Sequence, residues 1–317
     1  MHTKDTISLQ KRQSVMLSYI YRDWAKETGS DTLAAKAERV ANCSNYWTGF
    51  RCPDCGRLHH MVSYGCRDRL CPTCAAKLAR ATAAQALQAM AVMELDSDLP
   101  ANGWALVTLT QANVPGYLLS AEIDKMLEAW ALLRHLRPVM RVLLAWARNI
   151  EITYNPSTNT YHPHIHCIVC VKDTALASAE GAAAKWWADR WAECMDLAYT
   201  PVCNVSPLRD HAAVFEVSKY VCKMSSVFSQ SLPGMIRAEV VRTIATAIHG
   251  RRLKSYGGKW LKVRRALNQR PAEELDDMQM ADLADGMEER CVCGSSEILV
   301  PCVLVWAGME YKEVTSV

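Results

Sequence analysis

The sequence predicts an α+β protein: a split β-α-β antiparallel sheet with helices on one face, preceded by a cysteine-rich zinc module. Three observations carry that expectation. From residue 104 to residue 206 the pattern runs strand, helix, strand, strand, helix, strand. In Tyr161-His162-Pro163-His164-Ile165-His166-Cys167 the histidines alternate with apolar residues, so an extended chain sets His164 and His166 side by side on one face. Ahead of this lie Cys52-Pro-Asp-Cys55 and Cys71-Pro-Thr-Cys74, two knuckles fifteen residues apart, a spacing suited to one four-cysteine zinc site.

Composition narrows the class. With 317 residues, half of them hydrophobic and 22% charged, the chain can bury a main domain and smaller modules. The N-terminus is polar and lacks the apolar segment of an export signal. The longest apolar run, residues 298–306, is too short to span a bilayer, so no membrane partner is expected. Fourteen cysteines without an export signal point to reduced thiols and metal ligands in a cytoplasmic protein.

Taken in order, residues 1–40 read as a helical N-terminal region and 41–80 as the zinc module. Its structural ligands are expected to be Cys52, Cys55, Cys71 and Cys74, with Cys66 and Cys43 as further thiols and His59 and His60 as competitors. Arg51, Arg57, Arg67, Arg69, Lys77 and Arg80 make the module basic enough for a nucleic-acid backbone. Residues 75–94 are alanine-rich and helical.

The core is expected over 100–230. The β-branched run 104–110 reads as a strand, and Ile123, Met126, Leu127, Trp130 and Leu133 keep helical spacing. Residues 139–148 read as a further helix, 149–154 as a strand, and 155–160 as a turn into the histidine strand. Trp187, Trp191 and Met195 mark a helix whose tryptophans belong to the core, and a short strand falls near 201–206. A helix over 211–224 buries Val214, Val217 and Val221, and places Glu216, Tyr220 and Lys223 together on another face.

After the core, residues 231–270 form a basic helical DNA-binding extension, with ten Lys/Arg against one acid between 233 and 270. Arg251, Arg252, Lys254, Lys259, Lys262, Arg264 and Arg265 are its candidate DNA contacts. Residues 271–290, with eight acids and one arginine, read as an acidic linker. Residues 291–317 hold Cys291, Cys293 and Cys302, half a knuckle with no evident fourth ligand.

Several motifs now stand in one order: Cys66-Arg-Asp-Arg-Leu-Cys71-Pro-Thr-Cys74, the strand ending Thr108-Leu-Thr110, Glu151-Ile-Thr-Tyr-Asn155, Tyr161-His-Pro-His-Ile-His166 and Glu216-Val-Ser-Lys-Tyr-Val-Cys-Lys223. Over residues 43–261 the chain resembles the replication initiators of small rolling-circle plasmids, single-tyrosine members of the HUH endonuclease superfamily. The resemblance implies a DNA nickase with an HUH core, which cuts one strand at a plasmid origin and stays joined to it through a tyrosine.

Residue chemistry fits that expectation. His164 and His166 can hold a divalent ion, Mn²⁺ or Mg²⁺, with Glu151 as third ligand if the turn's parity puts it on their face. Tyr220 is the candidate nucleophile, Glu216 the base and Lys223 a phosphate partner. Tyr154 and Tyr161 are rival nucleophiles, and His162 is a spare ligand or DNA contact. Expected partners are origin DNA, single-stranded or cruciform, and a bacterial host's helicase and polymerase. The alternatives are a single-strand transposase or mobilisation relaxase of the same superfamily, or a non-catalytic zinc DNA-binding regulator.

Overall fold

A computed structural model describes the chain except for residues 1–2, 209–211, 219–221, 223, 229–231, 286–290, 292, 295–297 and 315–317. The elements begin with helices α1 (Lys4–Thr28) and α2 (Asp31–Ala41), hairpin strands β1 (Tyr46–Arg51) and β2 (Leu58–Val62), and α3 (Pro72–Met93). Next come β3 (Trp104–Leu109), the short β4 (Val114–Pro115), α4 (Leu119–Leu133), α5 (Arg137–Met140), β5 (Leu143–Asn155), β6 (Thr160–Val171), α6 (Gly181–Cys194) and β7 (Cys203–Pro207). The remainder holds α7 (Ala212–Ser218), α8 (Met224–Val227), α9 (Gly234–Ile248), β8 (Lys254–Gly258), α10 (Lys259–Ala266), α11 (Asp277–Asp285), β9 (Val300–Trp306) and β10 (Tyr311–Glu313). No described helix is long and apolar enough to cross a membrane.

Two compact units divide these elements. One contains residues 1–85, 224–230 and 270–317; the other contains 86–223 and 231–269, so the boundary falls within α3.

In the first unit the antiparallel sheet has the order β10-β9-β1-β2. Residues 291–317 are therefore not a separate segment. Their strand β9 pairs with β1 from Tyr46↔Val305 to Arg51↔Val300. One face of this sheet buries Trp47, Met61, Cys302, Leu304 and Tyr311 with Ile7 of α1. The N-cap Thr3 accepts from Thr6 N–H, and Gly29 ends α1 in the left-handed conformation that glycine adopts without strain. The expected acidic linker is also structured. It supplies α11, and Ala272, Leu275 and Met280 pack on Ala81 of α3 while Asp277 pairs with Lys77. Alternation of acids with apolar residues, not net charge, decides that segment.

The second unit is built on a sheet of order β7-β3-β6-β5-β8, with β4 paired to β6 and every pairing antiparallel. The order strand, helix, strand, strand, helix, strand is present as β3, α4, β5, β6, α6 and β7. Three expectations need correction. Residues 143–148 are the first half of β5, not a helix. Apart from Arg148 they are apolar, and from Ala145 on all are buried, a pattern that does not distinguish strand from helix. Helices cover both faces of the sheet. On one, Ile168 and Cys170 pack with Met90 and Met93 of α3, Val214 and Val217 of α7 and Trp260 of α10. On the other, Trp146 meets Trp130 of α4 edge-on at 5.1 Å. Strands as continuously apolar as β5 and β6 need cover on two sides. Finally, the basic extension is not wholly helical, because β8 is the sheet's fifth strand.

Candidate metal centre

Register settles the parity that the turn left open. β5 and β6 pair Glu151 with His164 and Asn149 with His166, and directly opposed residues in an antiparallel ladder share a face. His166 Nε2 lies 3.2 Å from Glu151 Oε2, His164 Nε2 lies 3.7 Å from it, and the two Nε2 atoms are 3.1 Å apart. Adjacent ligands of an octahedral ion with bonds of about 2.1 Å sit about 3 Å apart, so these three donors fit one divalent ion. Burial pushes the Glu151 carboxyl up, but its hydrogen bonds and charge interactions with His164 and His166 prevail and hold it down at about 2. It is an anion at neutral pH.

Both imidazoles are oriented for metal binding by their second nitrogen. His164 Nδ1 is 3.1 Å from the carbonyl of His162, which can only accept, so Nδ1 carries a proton and Nε2 is the nitrogen turned toward the site. His166 Nδ1 is 3.2 Å from Thr108 Oγ1, its cross-strand partner on β3, a hydroxyl that can accept from an Nδ1–H and leaves Nε2 facing the site. Thr108 was in a recognised motif, but its role emerges only from register. Thr108→Val is expected to weaken Mn²⁺ binding about 10- to 100-fold with an unchanged circular dichroism spectrum, measured by calorimetric titration. An unchanged affinity would remove Thr108 from the site.

His162 stacks on His164 at 5.1 Å but is not among the converging donors. Tyr154 and Tyr161 are register partners on the opposite face of the sheet from Glu151 and His164. Tyr161 is also buried, with its phenol pushed up to about 12 by burial. Neither rival phenol shares the face of the metal ligands.

The helix α7 does lie on that face, since Val214 and Val217 pack with Ile168 and Ala147. Glu216 is on it, half-buried. The helix is described from Ala212 to Ser218, and Cys222 forms a parallel bridge with Ile152. The chain thus returns beside the strand that carries Glu151, whose charge adds to burial in pushing the Cys222 thiol up to about 12. Tyr220 and Lys223 lie outside the described residues. Lys254, opposite Asn149 in β8, donates to the Ser218 carbonyl at 3.1 Å and ties the end of α7 to the sheet.

The seven basic candidates divide. Arg251 makes a paired bridge to Asp124 at 2.6 and 2.5 Å, and Lys259 binds Asp96 and Asp98 at 2.7 and 2.9 Å. Arg264 is buried, its guanidinium 4.1 Å over the Tyr256 ring. Arg252, Lys262 and Arg265 are exposed, whereas Lys254 holds α7 as described.

The four cysteines expected to share one zinc are not brought together. Cys71 and Cys74 join Cys43 and Cys66, while Cys52 and Cys55 join Cys291 and Cys293. Sulfur spacing around a tetrahedral ion with bonds of about 2.3 Å is about 3.8 Å. In the first set Cys43–Cys74, Cys66–Cys74 and Cys43–Cys71 are 3.5, 3.6 and 3.6 Å apart. In the second, Cys52–Cys293, Cys55–Cys291 and Cys291–Cys293 are 3.6, 3.3 and 3.2 Å apart. Both sets can hold a metal ion. The two knuckles separate because Cys71 opens α3 whereas Cys52 and Cys55 sit in the β1–β2 turn.

Around the first cage, backbone N–H groups of Cys66 and Arg67 donate to the sulfurs of Cys43 and Cys74 at 3.4 and 3.3 Å. Hydrogen bonds from the other three thiols push the Cys43 thiol far down. Two residues of the polar helix α1 also belong here. Ser14 Oγ is 3.2 Å from Cys71 Sγ, and the buried Lys11 donates to the carbonyls of Ala41 and Cys43 and to Asn45 Oδ1. Burial lowers the Lys11 pKa, and the four surrounding thiols oppose that shift. The buried stripe Ile7, Lys11, Ser14, Ser18, Tyr21 and Ala25 keeps helical spacing, so its signal was polar residues on a core face.

Comparison with known proteins adds an independent line. A family model described as Replication protein (Rep_1) matches residues 57–300. A protein named Protein rep from Bacillus amyloliquefaciens is 29% identical over 299 residues, covering 88% of this chain and 85% of its own. A Protein rep from Streptococcus pneumoniae is 27% identical over 282 residues, with 86% and 84% covered. A Replication protein from Staphylococcus aureus is 27% identical over 202 residues, with 61% and 83% covered. No solved structure matches the chain.

Proposed function

The chain belongs to the replication protein family, and from that premise we propose that it initiates plasmid rolling-circle replication by nicking one strand of origin DNA through a tyrosine. The support for this reading is the Glu151, His164 and His166 set, gathered on the face of the sheet that Val214 and Val217 of α7 also cover.

A phenol with a pKa near 10 is ionised to only about one part in a thousand at neutral pH, so attack on phosphorus needs help. A divalent ion held by Glu151, His164 and His166 would supply Lewis-acid polarisation of the scissile phosphate, and Mn²⁺ or Mg²⁺ suits this mixed imidazole and carboxylate set. The Tyr220 oxygen bonds to phosphorus and the bond to the 3′-oxygen breaks. The products are a 5′-phosphotyrosyl link and a free 3′-hydroxyl that serves as primer. Lys223 pairs with a phosphate oxygen. Glu216 takes the proton of the water or hydroxyl that later releases the protein. The cage of Cys43, Cys66, Cys71 and Cys74 would hold a structural Zn²⁺, since four thiolates leave no open position for chemistry. Exposed Arg252, Lys262 and Arg265 contact the DNA backbone.

Labelled single-stranded origin DNA with Mn²⁺ tests the reading. Wild type is expected to form a covalent protein–DNA adduct and Tyr220→Phe none. An adduct persisting in Tyr220→Phe would assign another nucleophile, and none in wild type would leave a zinc-dependent DNA-binding regulator. Glu216→Ala is expected to form the adduct and release it slowly; release at the wild-type rate would remove the base role.

A further inference from the structure

We propose that Cys52, Cys55, Cys291 and Cys293 form a second, independent zinc site. It clasps the two ends of the chain together and exchanges its metal more readily than the Cys43, Cys66, Cys71 and Cys74 cage.

The two halves of this site are built alike. In the β1–β2 turn, Cys55 is followed by Gly56 at φ +69°, and Gly56 N–H donates to the Cys52 carbonyl at 2.9 Å. Ahead of β9, Cys293 is followed by Gly294 at φ +77°, and Gly294 N–H donates to the Cys291 carbonyl at 3.0 Å. Each half is a tight turn with a left-handed glycine just past its second sulfur, which aims both sulfurs inward. Two such turns, contributed by residues more than two hundred positions apart, converge four sulfurs within 4.8 Å of one another. Four thiolates in this geometry select a tetrahedral d¹⁰ ion, hence Zn²⁺ and not the harder ion suited to Glu151, His164 and His166.

What the site does follows from where it sits. Strand β9, which begins at Val300 seven residues after Cys293, pairs with β1 up to Arg51 beside Cys52, and covers Trp47 through Leu304. Closing so long a loop costs entropy that a ladder of six residue pairs and a small apolar cluster must offset. A metal bridging Cys52 and Cys55 to Cys291 and Cys293 fixes that closure beside the Arg51 end of the ladder, and removing it loosens β9 and β10 from β1.

Exposure separates the two cages. Cys43, Cys71 and Cys74 are buried and Cys66 is half-buried, whereas Cys55 and Cys293 are exposed. A chelator reaches the second ion through two open ligands, while the first must wait for the module to open.

The test uses the full chain loaded with zinc and freed of excess. Metal analysis is expected to show two thiol-held zinc ions in wild type and one in Cys291→Ser/Cys293→Ser. With a colorimetric chelator this zinc should leave in two phases, the faster absent from the double variant. Hydrogen exchange in β9 should rise in that variant. Cadmium-113 NMR of the wild-type chain needs no variant, and should give two resonances in the four-thiolate range. A single resonance there, or equal thiol-held zinc in wild type and double variant, would overturn the proposal, as would iron in place of zinc.

Discussion

His164→Ala is expected to lower strand nicking on the order of a thousandfold or more, because the ion's contribution to charge stabilisation is several kcal/mol and each 1.4 or so is about tenfold. The variant loses one of three converging donors and leaves Glu151, nearly fully buried, facing His166 alone. Fold should survive, since the ring contributes its edge to the site while the β5–β6 ladder runs through backbone groups from Leu143↔Val171 to Asn155↔Thr160. Three readouts separate the outcomes: adduct formation with Mn²⁺, Mn²⁺ affinity by calorimetry, and far-ultraviolet circular dichroism. The expected result is loss of the first two with the third unchanged. Adduct formation at the wild-type rate would mean that the nicking chemistry does not pass through this face of the sheet. Loss of circular dichroism would show a structural histidine instead. Glu151→Gln, which keeps size and removes charge, then serves as the second probe of the same three readouts.

How much of this was legible in the sequence depended on whether local periodicity was enough. The pairing of His164 with His166 follows from a period of two, and no later fact was needed to see it. Glu151 was harder, because a single-residue slip in the turn at 155–160 would have put it on the other face. Strand β5 was half missed for the opposite reason. Residues 145–152 are all buried, so they carry no alternation to read. The basic block misled in another way. Charge alone does not say that Arg264 lies over Tyr256 or that Arg251 is held by Asp124, because those partners are remote in sequence or conformation. The cysteines show the limit most clearly. Spacing finds each knuckle, but nothing local says that Cys52 and Cys55 pair with Cys291 and Cys293 across the whole chain, or that Lys11 and Ser14 line the other cage.

That other cage carries the second large expected effect. Cys71→Ser should unfold the module that contains α1, β1 and β2 at room temperature. Cys71 is fully buried, opens α3, and holds hydrogen-bond distance to Ser14 and Cys43. Four-thiolate zinc binding contributes roughly 10–16 kcal/mol to folding in small modules, as large as the roughly 5–15 kcal/mol by which whole domains are stable. Losing one ligand from a closed cage also removes one of the four thiols that oppose the burial of the Lys11 ammonium, which keeps its bonds to Ala41, Cys43 and Asn45. The expected observations are one fewer zinc ion per chain, red-shifted Trp47 emission, and rapid proteolysis within residues 46–62. Lys11→Met should be milder, lowering the melting temperature while the zinc count stays at the wild-type value, because the sulfurs remain. If Cys71→Ser kept the wild-type melting temperature and zinc content, the cage would be a cluster of inert buried thiols, and α1 would be held by contacts such as Ile7 with Trp47 and Tyr311, and Tyr21 with Asp68.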